Sequence, residues 1–279
     1  PSSLGASLGA SGGAPGGASG GASGVSCGGT FFCPTCNRHV DLSGQRELLV
    51  VTCSPSTCPL PSAAAEADEV AACCARRGLV EALHGCTADL LRSRLLALPT
   101  RRLLFSGHAD APWPDRDGGL TKTLGFTAAD GKLEAVDPAD VASLLGLAHR
   151  ASGGALELVF LNGCRSEQLG AAVCSAGIAA VVCWRTLAED GAARLLAHAF
   201  FEALGSVGAA GGSEAYRRAF EHAKNAVRLA TRRGSIAGLP CNVPKYELRK
   251  PGERSSQPTQ PPPIAAGIPV LLCDGIAIT

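Results

Sequence analysis

Two short apolar runs constrain this chain more than anything else in it: Leu103-Leu104-Phe105-Ser106 and Leu158-Val159-Phe160-Leu161, each soon broken by a glycine. Runs of this length stopped by glycine suit the central strands of a sheet covered on both faces. Open α/β sheets bind ligands at the C-terminal edge of such strands. His108 follows the first run and Cys164 the second, 56 positions later, so both are expected on one rim. A free thiol is mostly protonated at neutral pH. A neighbouring imidazole raises the thiolate fraction and then handles the proton, which is what nucleophilic catalysis by cysteine needs. By itself a cysteine at a strand end is more often packing than chemistry. Cys183, closing the run Ile178 to Cys183, is read that way. The glycine-flanked exits distinguish Cys164 and His108.

The remaining sequence reads as one domain with extended ends, α/β in class, a mostly parallel sheet with helices on both faces. Hydrophobic residues make up 46% of the 279, enough for a core, but aromatics only 4%, so packing is expected to rely on close helix contacts. A formal net charge of +1 gives no electrostatic case for nucleic acid as partner. No apolar run reaches the roughly 18 residues of a membrane span, so no membrane partner is expected. Thirteen cysteines, an odd number, do not suggest a disulfide scaffold in a chain of this size; a reducing, cytoplasmic setting is expected. The sequence opens at Pro1 and has no methionine, so the native start is expected to lie outside it and targeting signals are not read.

Residues 1–25 are Gly, Ala and Ser with almost nothing else, a disordered linker by composition. Residues 26–45 are a Cys-rich segment. Cys33-Pro34-Thr35-Cys36 has the spacing of a zinc knuckle, and Cys53 and Cys58, after 16 intervening residues, offer a second pair for a structural zinc. Cys27, Cys33, Cys36 and His39 are an alternative set, and ordinary surface and strand-end thiols a third reading. Residues 46–232 hold the folded domain, from a first strand at Leu48-Leu49-Val50-Val51. Ser62 can cap a helix over 63–75, Thr87 another through Leu98, and Asp137-Pro138 opens a third. Residues 110–119, rich in Asp and Pro, read as a rim loop, and Asp130-Gly131 as a hairpin turn. A strand over 178–183 follows a short helix, and amphipathic helices over 189–204 and 214–230 close the domain. His84, His149, His198 and His222 are read as helix or helix-end residues without a strand-end partner. Residues 233–279 form a Pro-rich tail whose last apolar run, Ile268 to Leu272, is a candidate terminal strand.

In this order the blocks from about Arg46 to Ala230 resemble the CHAT family, caspase-like clan CD cysteine peptidases related to separases. The resemblance rests on the opening strand with Leu60-Pro61-Ser62-Ala63 and Glu66-Ala67, the histidine block Leu104-Phe105-Ser106-Gly107-His108, and the cysteine block Phe160-Leu161-Asn162-Gly163-Cys164-Arg165-Ser166. It continues in Ala176 to Val182 with Trp184, Asp190 and Phe200-Phe201-Glu202-Ala203-Leu204. It implies endopeptidase chemistry: Cys164 as nucleophile, His108 as proton partner, the amides of Gly107 and Cys164 as oxyanion hole, and no cofactor in catalysis. A protein or peptide substrate and a regulatory protein partner are implied with it. The alternative is a catalytically silent caspase-like scaffold or interaction domain. Asp110, Arg165 and Arg185 are candidate substrate-binding residues. Where separase-like members have Trp-Asp, this chain has Trp184-Arg185, so their basic specificity does not carry over; Ala109 stands where a second glycine is common.

Overall fold

The structure is a computed structural model that describes residues 44–114, 119–206, 211–236 and 266–279 in full, and the backbone alone of 30–33 and 38–41. Five parallel strands form the body of a seven-stranded sheet: Arg46–Cys53 (β3), Leu79–His84 (β4), Thr100–Gly107 (β5), Leu158–Asn162 (β10) and Ala180–Trp184 (β11). Pro269–Cys273 (β12) runs antiparallel on β11, and Ile276–Ile278 (β13) antiparallel on β12. Across the sheet the order is β13-β12-β11-β10-β5-β3-β4, so the apolar run near the end of the chain joins the sheet.

Alternation along the central strands decides which helix covers which face. Leu48, Val50, Leu104, Leu158, Phe160 and Val182 pack in one cluster, with helices Ala63–Cys74 (α1), Asp190–Ser206 (α5) and Ser213–Arg233 (α6). Their neighbours Leu49, Val51, Leu103, Phe105, Val159, Leu161 and Val181 pack oppositely, against Ala88–Ala97 (α2), Pro138–Ala151 (α3) and Glu167–Ser175 (α4). Cys183 is fully buried on that second face, and Gly170 of α4 leaves the room it occupies. The low aromatic content is concentrated: Phe160, Phe200 and Phe201 stack edge-on or tilted with ring centroids 5.3–5.8 Å apart under α5. Thr87 caps α2 through the amide of Leu90, and Asp137 caps α3 through that of Ala139.

The readings of the rim loop and of His84 need correction, whereas the helix-end place of His149 and the hairpin at Asp130-Gly131 hold. The stretch read as a rim loop contains a strand, Ala111–Pro114 (β6), paired antiparallel with Leu120–Thr123 (β7). His84 ends strand β4, its Nδ1 3.2 Å from the Thr52 hydroxyl, rather than sitting near a helix end. His149 is buried in the last turn of α3, with Nδ1 2.9 Å from the Leu156 carbonyl oxygen. The hairpin about Asp130-Gly131 joins Gly125–Thr127 (β8) to Leu133–Ala135 (β9), and Gly131 takes φ +81°, as a tight turn requires.

In the Cys-rich segment, Thr30–Cys33 (β1) pairs with Arg38–Asp41 (β2). Cys27 and Cys36 lie outside the described residues, as do the side chains of Cys33 and His39. Cys53 is buried, its thiol directed at the carbonyl of Cys86 at 3.4 Å, whereas Cys58 is exposed in the following loop. Burial pushes the Cys53 thiol up to about 12. Among the described residues no group of three His, Cys, Asp or Glu is placed to hold a metal.

Candidate active site

Strands β5 and β10 are neighbours in parallel register, with Asn162 opposite Ser106. That pairing has the same offset as Cys164 from His108, so the two segments that carry the thiol and the imidazole leave the sheet as neighbours. Adjacent strands lie about 4.8 Å apart. The exits leave no room for a further side chain between them. A Cβ on Gly163 would collide with the Gly107 carbonyl oxygen and come within 2.6 Å of the Ala109 methyl. Ala109 is buried, so its methyl fills the space against Gly163 and ties the two exits together.

His108 is partly exposed, and its Nε2 lies 2.8 Å from the backbone carbonyl oxygen of Cys58, in the loop after β3. A carbonyl can only accept, so Nε2 carries the proton. In the neutral ring Nδ1 is then the free base. Nδ1 lies 4.0 Å from Asp110 Oδ1, a carboxylate of matching charge for the imidazolium.

Cys164 is partly buried. Its Sγ sits between the carbonyl oxygen of Ala188 at 3.6 Å and the Ala188 amide, which donates to it at 3.3 Å. Burial pushes its pKa up, the Ala188 amide pulls it down, Asp110 raises it and Arg165 lowers it, in descending order of size. No hydrogen bond joins Cys164 to His108 in this state; each is held by backbone groups of a different loop. The turn that presents the thiol is strained: Arg165 has φ +54°, a left-handed conformation that a non-glycine residue adopts at a cost of about 1 kcal/mol or more. Its amide donates to Thr186 at 3.0 Å, and the Ser166 hydroxyl lies 2.8 Å from the Gly163 carbonyl and accepts from the Trp184 amide at 3.0 Å. These bonds over-determine the turn. Sequence reasoning missed Cys58, Ala188 and Ser166; for the first two the working atoms are backbone, which leave no residue-type signal.

The other candidates are spread along the rim. Asp110 is about a third exposed and faces His108, and Arg165 is exposed beside the thiol. Arg185 turns away to α4, where Nε and Nη2 grip both oxygens of Glu167 at 2.8 and 2.7 Å. Asp190 accepts from the Ser62 amide at 3.2 Å and so ties α5 to the start of α1. The loop carrying Ala188 is fastened to the returning C-terminal segment: Arg185 donates to Ile268 at 2.9 Å and Glu189 to Ala266 at 3.2 Å. Gly267, at φ +105°, fits where a side chain would strike the Trp184 ring and the Leu187 carbonyl.

A comparison with curated proteins finds no significant match. A family model described as CHAT domain matches residues 34–234, well over half the chain and spanning both strand exits. The match, together with a mostly parallel sheet sandwiched by helices and a caspase-like α/β arrangement, means that this chain belongs to the CHAT-domain family.

Proposed function

We propose that this chain is a cysteine endopeptidase acting through Cys164 and His108. The observation that carries the reading is the alignment of the two exits by the β5–β10 register, with His108 Nε2–H held by the Cys58 carbonyl. Nδ1 accepts the thiol proton, and Sγ attacks the carbonyl carbon of the scissile bond. Backbone N–H groups at Gly107 and Cys164 hold the oxyanion; such donors contribute about 3 to 4 kcal/mol each to transition-state stabilisation. The imidazolium returns its proton to the leaving amine as the C–N bond breaks. Water, deprotonated by the same Nδ1, then hydrolyses the thioester and restores the thiol. Asp110 stabilises the imidazolium across 4.0 Å.

A second reading, a catalytically silent scaffold, draws on the Ala188 clamp. Burial raises the Cys164 pKa, and Sγ is engaged by the Ala188 amide and carbonyl, in the loop after β11, in place of His108, so the thiol does not meet its base until something moves that loop. A regulatory protein partner or the substrate itself is suited to do so. Incubation with a mixed peptide library, read by mass spectrometry, separates the readings. Cleavage by wild type and not by Cys164→Ala supports the peptidase. Equal cleavage by both rejects it, and alkylation of Cys164 without any cleavage favours the scaffold.

A further inference from the structure

Beneath the two exits lies a buried polar chain that the proposed chemistry does not use directly. Trp184 Nε1 can only donate, and it donates to Asn162 Oδ1 at 2.7 Å. This fixes the Asn162 amide: Nδ2 faces the other way and spends one hydrogen on Glu66 Oε2 at 2.8 Å and the other on the Ala193 carbonyl at 3.0 Å. Glu66 is 3% exposed, on the inner face of α1. Its second oxygen, Oε1, makes no hydrogen bond. The Ser106 hydroxyl is close enough to favour the ionised carboxyl without closing a bond on Oε1. Asn162 precedes Cys164 by two residues and Ser106 precedes His108 by two, so one carboxyl is in touch with both strands just below the reactive side chains.

Neighbours on the other elements do not account for a carboxyl here. From α5 come Asp190, of the same sign, and Arg194, whose guanidinium is engaged by Glu69. Desolvation, the largest influence, pushes Glu66 up to about 7. Packing alone would be met by an apolar side chain of similar volume, without the cost of desolvating a carboxyl. What the carboxyl supplies is an acceptor for Asn162.

We propose that Glu66 is a positioning residue: by accepting from Asn162 Nδ2 it fixes the end of β10, and through it the place of the Cys164 thiol relative to His108. This deepens the peptidase reading and rests on it for the role of the two side chains. A nucleophile misplaced by about 1 Å loses on the order of a hundredfold in rate.

The test uses the full chain as Glu66→Met, which fills the volume without an acceptor, and Glu66→Gln, whose amide oxygen can take the same bond. Urea unfolding, kcat and KM on a cleaved peptide, and the rate of iodoacetamide alkylation at Cys164 by peptide mapping are measured. Glu66→Met leaves one Asn162 amide hydrogen unpaired, so it is expected to unfold at somewhat lower urea, to lose more than about tenfold in kcat with KM little changed, and to lose more than about threefold in Cys164 alkylation. Glu66→Gln is expected to stay within about threefold of wild type in both. Alkylation remains measurable if no peptide is cut, so failure of the peptidase reading is distinguishable from failure of this one. A Glu66→Met alkylation rate within that threefold margin, or a Glu66→Gln loss equal to that of Glu66→Met, overturns the proposal. Should Glu66→Met not fold, Glu66→Leu, which likewise offers Asn162 no acceptor, takes its place. An unchanged alkylation rate there overturns it equally.

Discussion

At the N-terminal edge of the sheet, buried charges are matched to partners. Arg102 meets Glu47, and Arg101 reaches both Glu47 at 3.5 Å and Glu157 at 2.9 Å. The Tyr216 hydroxyl donates to Glu157 at 2.6 Å, and Arg46 meets Glu81 at 2.6 Å. At the C-terminal edge of the same strands, the close contacts of the reactive and buried side chains are to backbone groups or neutral amides: His108 to Cys58, Cys164 to Ala188, Glu66 to Asn162, with the Asp110 carboxylate farther off at 4.0 Å from His108. Paired charges lock the strand starts in one state. Groups held by neutral partners remain free to change protonation at the other end, which is what acid–base chemistry at a thiol requires.

The largest effect expected separates function from packing at the reactive end. Cys164→Ala and His108→Ala should each lower peptide cleavage by roughly a thousandfold or more, with urea unfolding little changed because neither side chain fills core volume. Cys183→Ala, in the packed layer under α4, should keep activity while losing about 1 to 2 kcal/mol of stability. Equal cleavage by Cys164→Ala and wild type would remove the functional half of the contrast.

The opposite pattern is expected at the paired end. Glu47→Gln strips a carboxylate from both Arg101 and Arg102, and removing one member of a buried pair costs about 3 to 5 kcal/mol. Activity per folded molecule should be unchanged. A Glu47→Gln protein of wild-type stability would show that the edge is held by packing and not by its charges.

Gly163→Ala probes the seam between the exits. The added methyl has no room against Gly107 and Ala109, so β10 must withdraw from β5. The expected cost is about 1 to 3 kcal/mol in stability and on the order of a hundredfold in kcat/KM. Wild-type rates would mean that the seam does not set the spacing of thiol and imidazole.

The central strands could be read from sequence because both faces are covered and each is a continuous apolar run. Edge strand β4 escaped because Leu79-Val80-Glu81-Ala82-Leu83-His84 is only partly buried and mixes charge with apolar residues. Strand β6 escaped because Pro112 and Pro114, ordinarily signs of a loop, are tolerated in a two-stranded ribbon with free edges. At the site, His108 and Cys164 were legible as residue types at strand ends. The Cys58 carbonyl and the Ala188 clamp were not, since any residue supplies those atoms. Glu66 was legible only as part of a resemblance, because a glutamate on a helix is ordinarily solvated and its burial depends on tertiary packing.

A smaller effect is expected with pH. The Glu66 carboxyl is raised by burial from the ordinary glutamate range to about 7. A raised acid favours the folded state while protonated, so its contribution is full below the unfolded pKa and falls away as pH rises through about 7. Between pH 6 and 8 wild type should lose about 1 kcal/mol more stability than Glu66→Gln. Parallel stability curves for the two proteins would place the carboxyl outside this account.

The smallest effect is expected at Arg185, where the reactive rim borrows the device of the opposite edge. Its guanidinium, a candidate substrate-binding group by sequence, is forked by Glu167 at 2.7 and 2.8 Å, and both partners are about a third exposed. Exposed pairs contribute up to about 1 kcal/mol, so Arg185→Ala should change stability by no more than that. The charges also cancel at a distance, and cleavage preference just before the cut should shift by less than about threefold. Glu167→Gln is the sharper variant, because it frees the guanidinium without removing it. Cutting after acidic residues should then rise relative to wild type. If Arg185→Ala alone reverses the preference between acidic and basic residues, the pair does not neutralise Arg185, and the contrast between the two edges fails at this position.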